Sequence, residues 1–205
     1  SAALRDLPDI AYVVETASTR LQLIYGGVNW NTSIEGTNVD LPLIRSWQLR
    51  YGSFFTPEDV KASAKVIVLG ANVSDILFGA DVDPTDTIIR VRNHQFKVLG
   101  VMARKGAATG GQNQDDQTFA PYTTVMKKLS GQTFLNKINV SARSADAVAD
   151  TKAAVENTLR IQHGIETGGA DDFTVQTLDD MVAMRTQTTQ TMTSLLAGVA
   201  FVSLV

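Results

Sequence analysis

Apolar and polar positions alternate with period two along several short stretches of the chain, and with helical spacing along others. "IAYVVETA" and "RLQLIYGG" are β-rich, the second setting Leu21, Leu23 and Tyr25 against Gln22 and Ile24. "AKVIVLG" is a continuous apolar run of strand length. "DTIIRVRNHQFKVLGVM" predicts a β-hairpin. Ile89 and Val91 alternate before an Asn93–His94 turn, with Phe96, Val98 and Val101 after it. "TFAPYTTVMKKLSG" predicts a strand and then a helix, with Pro121 near the helix start and Gly131 beyond its end. "KINVSA" and "DFTVQ" predict two more strands.

Helix signals punctuate these strands. "SAALRDLPD" reads as the last turns of a helix stopped before Pro8. Asp40 with Pro42 opens a short helix in "VDLPLIRSW", and "TPED" at Thr56–Asp59 opens another. Val73–Phe78 forms a third, ended by Gly79. Ser144 caps a helix over Ala145–His163, which Gly164 stops. Thr177 with Asp180 makes a capping-box-like start at Leu178. No breaker follows that start except Gly198. Arg185 is the last charged residue, and the helix turns apolar after about Thr193. A membrane span needs roughly 20 apolar residues, and Leu195–Val205 supplies about half of one. The expectation is a helical stalk leading into a truncated membrane helix.

Composition removes several functions. The chain has 205 residues, a net charge of −3 and no cysteine. Disulfides, thiolate metal sites and cysteine nucleophiles are excluded, and no polycationic tract advertises nucleic acid. The first nine residues carry no secretory signal, and the absent initiator Met suggests a piece of something longer.

Candidate chemistry is sparse. "GAATGGQNQDD" is glycine-rich but lacks the Gly-Lys-Ser/Thr of a phosphate loop. With its flanks, Ala103–Asp116, it is expected to be the most mobile internal segment. Asp81, Asp83 and Asp86 lack the Gly and distal Glu of a calcium loop and read as turn formers. His94 and His163 have no ligand pattern around them. The pairs Asp115–Asp116 and Asp171–Asp172 read as solvated loop or cap carboxylates. Trp30 and Trp47 fit a core or an interface. No catalytic, cofactor-binding or metal-binding residue is assigned.

Five strings taken together resemble one family: "EGTNVDLPLIRSWQLRYGSFFTPEDV", "AKVIVLGANVSDILFG", "DTIIRVRNHQFKVLGVM", "GQNQDDQTFAPYTTVMKKLSG", and "DDFTV" followed by "MTSLLAGVAFVSLV". In this order they resemble the periplasmic core domain of MacB-type ABC transporter permeases, over almost the whole chain. The resemblance implies an α+β fold of two lobes. A discontinuous porter-like lobe of βαβ units would take residues 1–33 and 137–176. An inserted strand-rich lobe would take residues 34–136. Residues 177–205 would form the stalk and the start of a membrane helix. This reading excludes one continuous sheet through Ile10, Val66 and Val140. Family members usually carry a strand before the first helix, and here the chain starts inside that helix.

The resemblance also implies a non-catalytic domain in the periplasm, attached to a bacterial inner membrane through flanking helices. ATP and magnesium would bind in a separate nucleotide-binding domain. Implied partners are a second copy in the full transporter, a MacA-like periplasmic adaptor and a TolC-like outer-membrane channel. Gln112, Asn113, Gln114, Asp115 and Asp116 are the candidates for partner contact. Other classes stay open: a lipoprotein-releasing permease, a cell-division permease, or a membrane-anchored ligand-sensing domain.

Overall fold

A computed structural model of the chain describes residues 1–108, 113–166 and 168–202. The chain divides into two compact units, Ser1 with Ala11–Ser141, and Ala2–Ile10 with Ala142–Val205. The second unit draws on both ends of the chain, so the two-lobed expectation is met in part.

The first unit is built on strands. β1 (Ile10–Tyr25) turns at Gly26–Gly27 into β2 (Val28–Thr37), and the two pair antiparallel from Tyr25↔Val28 out to Ala17↔Gly36. Both turn glycines hold positive φ, +54° and +88°, which Gly adopts without steric cost. β3 (Leu49–Gly52), β4 (Val66–Leu69), β5 (Ile88–Val91), β6 (His94–Met102), β7 (Gln117–Pro121) and β8 (Lys137–Ala142) follow. Six of these pair in a closed cycle, β1–β2–β7–β4–β6–β5 and back to β1. β3 adds to β6 and β8 adds to β1. The connected sheet therefore runs through Ile10, Val66 and Val140, which corrects the expectation against one continuous sheet. The cause is β1, a single unbroken strand of 16 residues that carries β2 and β5 along its second half.

Alternation divides the core. Ile67 and Leu69 join one cluster with Leu23, Val91 and Phe96, against Val73 and Leu77 of α4 (Ala71–Phe78). Val68 points the other way, into a cluster with Trp47, Phe119, Leu41 of α2 (Leu41–Ile44) and Val60 of α3 (Pro57–Ala62). Trp47 meets Phe119 edge-on at 5.6 Å, a favoured aromatic geometry.

Local signals held where chemistry is explicit. Thr56 and Asp59 form a reciprocal capping box, with Pro57 at the first turn of α3. Asp40 precedes α2 as expected, but its side chain makes no cap hydrogen bond because its backbone is already helical. The hairpin turn falls on Arg92–Asn93, one residue before the expected position, since Val91 pairs with His94. Pro121 ends β7, and α5 (Tyr122–Thr124) continues as a π-helical segment, Val125–Ser130, stopped by left-handed Gly131.

In the second unit, α1 (Ala2–Arg5) buries Leu4, and α6 (Val148–His163) buries Thr151 and Val155. Arg143 donates through its backbone N–H to Asp9 O at 2.9 Å and through Nε to Pro8 O at 2.8 Å. α6 starts three residues later than expected. Ser144 Oγ accepts from Ala147 N–H rather than capping a helix at Ala145. Gly164 stops α6 in the left-handed conformation. The strand expected at "DFTVQ" does not form among the described residues. Side chains hold that stretch instead: Asp171 pairs with Arg160, and Asp172 and Phe173 with His163. α7 (Leu178–Val202) is one unbroken helix. No described helix is long and apolar enough to cross a membrane; residues 203–205 of the expected membrane entry lie outside the described residues.

Candidate functional site

Three regions of the chain carry the candidate residues. The first is the segment between β6 and β7. Asp115 is buried, with 2% of its surface exposed. Its carboxylate accepts the N–H groups of Lys105 at 2.8 Å and Gly106 at 2.9 Å. Its backbone carbonyl accepts Asn72 N–H at 3.2 Å, while Gln117 O accepts Gly70 N–H at 2.8 Å. This strap crosses the β4–α4 turn so closely that Gly70 has no room for a side chain. Asp116 accepts Trp30 Nε1 at 2.7 Å, and its carbonyl accepts the Thr32 hydroxyl at 3.1 Å. The reading of Asp115 as a solvated carboxylate is thus corrected. The sequence showed only an acidic pair, and the carboxylate is buried because two backbone N–H groups converge on it.

The same bonds revise the expected mobility of Ala103–Asp116 at its ends. Gln114 N–H donates to Gly106 O at 3.0 Å, and Ala107 bridges to Asn113. Of the partner-contact candidates, Asn113 is exposed, Gln114 and Asp116 are half-buried, and Asp115 is buried. Gln112, with the rest of 109–112, lies outside the described residues. Replacing Asp115 with alanine is expected to cost about 2 kcal/mol, as two charge-assisted hydrogen bonds are lost. Amide exchange at Lys105 and Gly106 should accelerate at least about tenfold as local opening becomes easier. Unchanged exchange there would show that the carboxylate does not hold the strap.

Charged side chains elsewhere serve turns. Asp75 pairs with both Arg50 and Arg104, and Arg50 also pairs with Asp81. The Arg50 guanidinium is raised further above its ordinary range, first by its hydrogen bond to Asp81. Asp83 accepts Thr85 N–H at 3.0 Å and is lowered by its hydrogen bonds to Thr85. Asp86 pairs with Lys97 at 2.7 Å. The three carboxylates of "DVDPTD" therefore engage separate partners, and among the described residues no group of three acids and histidines could hold a metal. His94 opens β6, and His163 Nδ1 lies 2.7 Å from Asp172.

The last region is the start of α7. Thr177 N–H donates to the Asp180 carboxylate at 3.0 Å, and Asp180 N–H donates to the Thr177 hydroxyl at 3.1 Å. The capping box read from sequence is formed. Lys152 on α6 reaches the same carboxylate at 2.8 Å, a link the sequence does not disclose. Asp180 is held down at about 2, first by the Lys152 hydrogen bond and then by Thr177. Its folded value lies below the unfolded one. Its contribution to stability is present above about pH 4 and is lost as pH falls from there through about 2. An NMR titration of the Asp180 carboxyl is expected to show a midpoint of about 2. Lys152→Met should move it up towards the ordinary aspartate value of about 4. An unmoved midpoint would mean that Lys152 does not hold the carboxylate.

These regions offer anchoring, a charged turn network and a long helix, with no nucleophile–base pair among them. Comparison with known proteins gives the context. The model of the MacB-like periplasmic core domain matches residues 1–158. The macrolide export ATP-binding/permease protein MacB of Wolinella succinogenes is 34% identical over 202 residues, which is 98% of this chain and 31% of that protein. The pyoverdine export ATP-binding/permease protein PvdT of Pseudomonas savastanoi pv. phaseolicola is 29% identical over 99% of this chain and 30% of its own length. The chain thus spans about a third of the length of these curated relatives. Among solved structures, the periplasmic region of MacB from Actinobacillus actinomycetemcomitans superposes with a TM-score of 0.70 at 21% identity, over 80% of this chain and 72% of that one. The extracellular domain of the noncanonic ABC-type transporter YknZ from Gram-positive bacteria does so with 0.68 at 18% identity, over 80% and 82%. With more than half of its residues matched by the family model, and MacB relatives above 30% identity along nearly all of its length, the chain belongs to the MacB-like periplasmic core domain family.

Proposed function

We propose that this chain is the extracytoplasmic portion of an ATP-driven export permease of a bacterial inner membrane. In this reading ATP and magnesium bind in a separate nucleotide-binding domain, and this portion performs no catalysis. It passes the force of ATP-driven closure to the export path. The permease works as a homodimer with a MacA-like periplasmic adaptor and a TolC-like outer-membrane channel. The observation that carries the proposal is the family match over residues 1–158 together with relatives whose names specify export. The unbroken α7 supports the mechanical part, since a force-bearing link needs a helix without a break. Asn113 and Gln114, with Gln112 beside them, are proposed to meet the adaptor, while Asp115 and Asp116 hold that segment in place.

The test is a complete reading frame expressed in a host stripped of its own macrolide exporters, with and without an adaptor. Macrolide resistance is expected only when both are present. Sensitivity that persists with a matched adaptor and a channel would overturn macrolides as the cargo, and ATP hydrolysis that the adaptor does not alter would overturn the export reading.

A further inference from the structure

A cavity of about 650 Å3 opens in the unit Ala11–Ser141 beside the β5–β6 turn. Leu21 and Ile24 of β1, Arg90 of β5, Arg92 of the turn, His94 of β6 and Lys128 of the π-helical segment line it. Three permanent cations therefore face one cavity and no carboxylate lines it, although the chain as a whole carries a net charge of −3. Two of the cations are tethered to neutral acceptors. Arg92 Nη1 donates to Leu129 O at 2.9 Å, and Lys128 Nζ donates to Ser63 O at 2.7 Å. Such bonds orient the side chains without cancelling their charge. Arg90, Arg92 and Lys128 form no ion pair among the described residues, where Arg45, Arg50, Lys97, Arg104, Lys152 and Arg160 all do.

Two backbone features converge on the same place. Arg92 holds φ at +51°, a left-handed conformation that Gly or Asn would adopt more easily. The chain keeps a long cationic side chain there despite the strain. Val125–Ser130 is a π-helix, a rare conformation that is frequent at functional sites. It supplies both Lys128 and the carbonyl that tethers Arg92. Register places Arg90 beside Ile24 on the outer face of the sheet, so a cation and an aliphatic side chain lie side by side, while Leu21 packs towards the core. The cavity is an open, largely polar depression, wider than a bare oxyanion needs.

We propose that this cavity binds an organic anion, with a carboxylate or phosphate head held by Arg90, Arg92 and Lys128 and an aliphatic body against Ile24. The charge supplies attraction and orientation, and contact with Ile24 favours an organic anion over small inorganic ions. This site is independent of the proposed transport role.

Calorimetry on the 205-residue chain at low salt tests it, with three probes: octyl phosphate, inorganic phosphate and octyl glucoside. Octyl phosphate is expected to bind at least about tenfold more tightly than either of the others. The double variant Arg90→Gln with Lys128→Gln should weaken octyl phosphate binding at least about tenfold while unfolding at the parent temperature. Arg90 is exposed, so the single variant Arg90→Gln serves if the double variant is destabilised. Amide shifts on adding octyl phosphate should centre on Ile24 and Arg90. Equal binding of octyl glucoside would overturn the proposal, because the head group would not matter. Equal binding of inorganic phosphate would overturn the organic body. Unchanged affinity in the variants would overturn the site.

Discussion

Replacing Gly70 with alanine is expected to destabilise the strand-rich unit by about 3 kcal/mol or more, lowering its melting temperature by about 6–12 °C. A Cβ at Gly70 would lie 2.3 Å from Asp115 O and 2.4 Å from Gln117 O. Both are backbone atoms, so no side-chain rotation relieves the clash. Gln117 O already accepts Gly70 N–H, and Asp115 O accepts Asn72 N–H. Moving the strap outward would break these bonds, pull on the start of β7 and disturb the Asp115 carboxylate. Gly27→Ala is the matched control. Its φ is +88°, but nothing lies within 4 Å of the added methyl, so about 1–2 kcal/mol of backbone strain is expected. Urea or thermal unfolding of both variants measures the difference. A loss at Gly70 no greater than that at Gly27 would show that the strap can retreat.

A proline at Thr188 is expected to separate ATP hydrolysis from export in the complete transporter. Thr188 lies inside α7, and its hydroxyl donates to Met184 O at 2.9 Å. Proline removes the backbone N–H and clashes with the preceding turn, at a cost of about 3 kcal/mol or more in a helix interior. Alanine at the same exposed position loses only the hydroxyl contact and is the better helix former. Under the proposed function, Thr188→Pro should hydrolyse ATP near the parent rate but lose most of its export, while Thr188→Ala keeps both. Equal export by the two variants at matched expression would remove α7 as a mechanical link. A passive binding role would then fit this domain better.

Signals whose chemistry is local were legible in the sequence. The Thr56–Asp59 and Thr177–Asp180 boxes and the Gly131 and Gly164 stops all stand where their residues predict. β2 is weakly marked because Asn29, Asn31, Ser33, Gly36 and two threonines leave "VNWNTSIEGT" without an apolar run, and its place comes from the Gly26–Gly27 turn and from β7. β1 reads as two runs because Ser18–Arg20 interrupts the apolar pattern, yet cross-strand pairing keeps it whole. "DFTVQ" has strand composition, but side-chain contacts with α6 decide its path. "VMKKLS" carries no mark that separates a π-helix from an α-helix. Of the candidate site, the glycines and acids were visible. The burial of Asp115, the closeness of Gly70 and the meeting of Lys128 with Arg90 and Arg92 at one cavity depend on the packing of residues far apart in sequence. Family resemblance supplied the fold class, which no single motif here could have specified.

The parallel pairing of β2 with β7 has a consequence for biosynthesis. Ser33 cannot meet Gln117 until everything between them has left the ribosome. At ordinary elongation rates that wait is on the order of ten seconds. The β1–β2 hairpin needs only Gly26–Gly27 to close, so it can form early. It then waits with one edge of β2 unsatisfied, and such edges invite pairing with other chains. Glu35 sits in the waiting stretch Ser33–Thr37, and a charge there discourages such pairing. A nascent chain that stalls before β7 would be most vulnerable to aggregation, and substitutions making β2 more apolar would lower yield without weakening the finished fold.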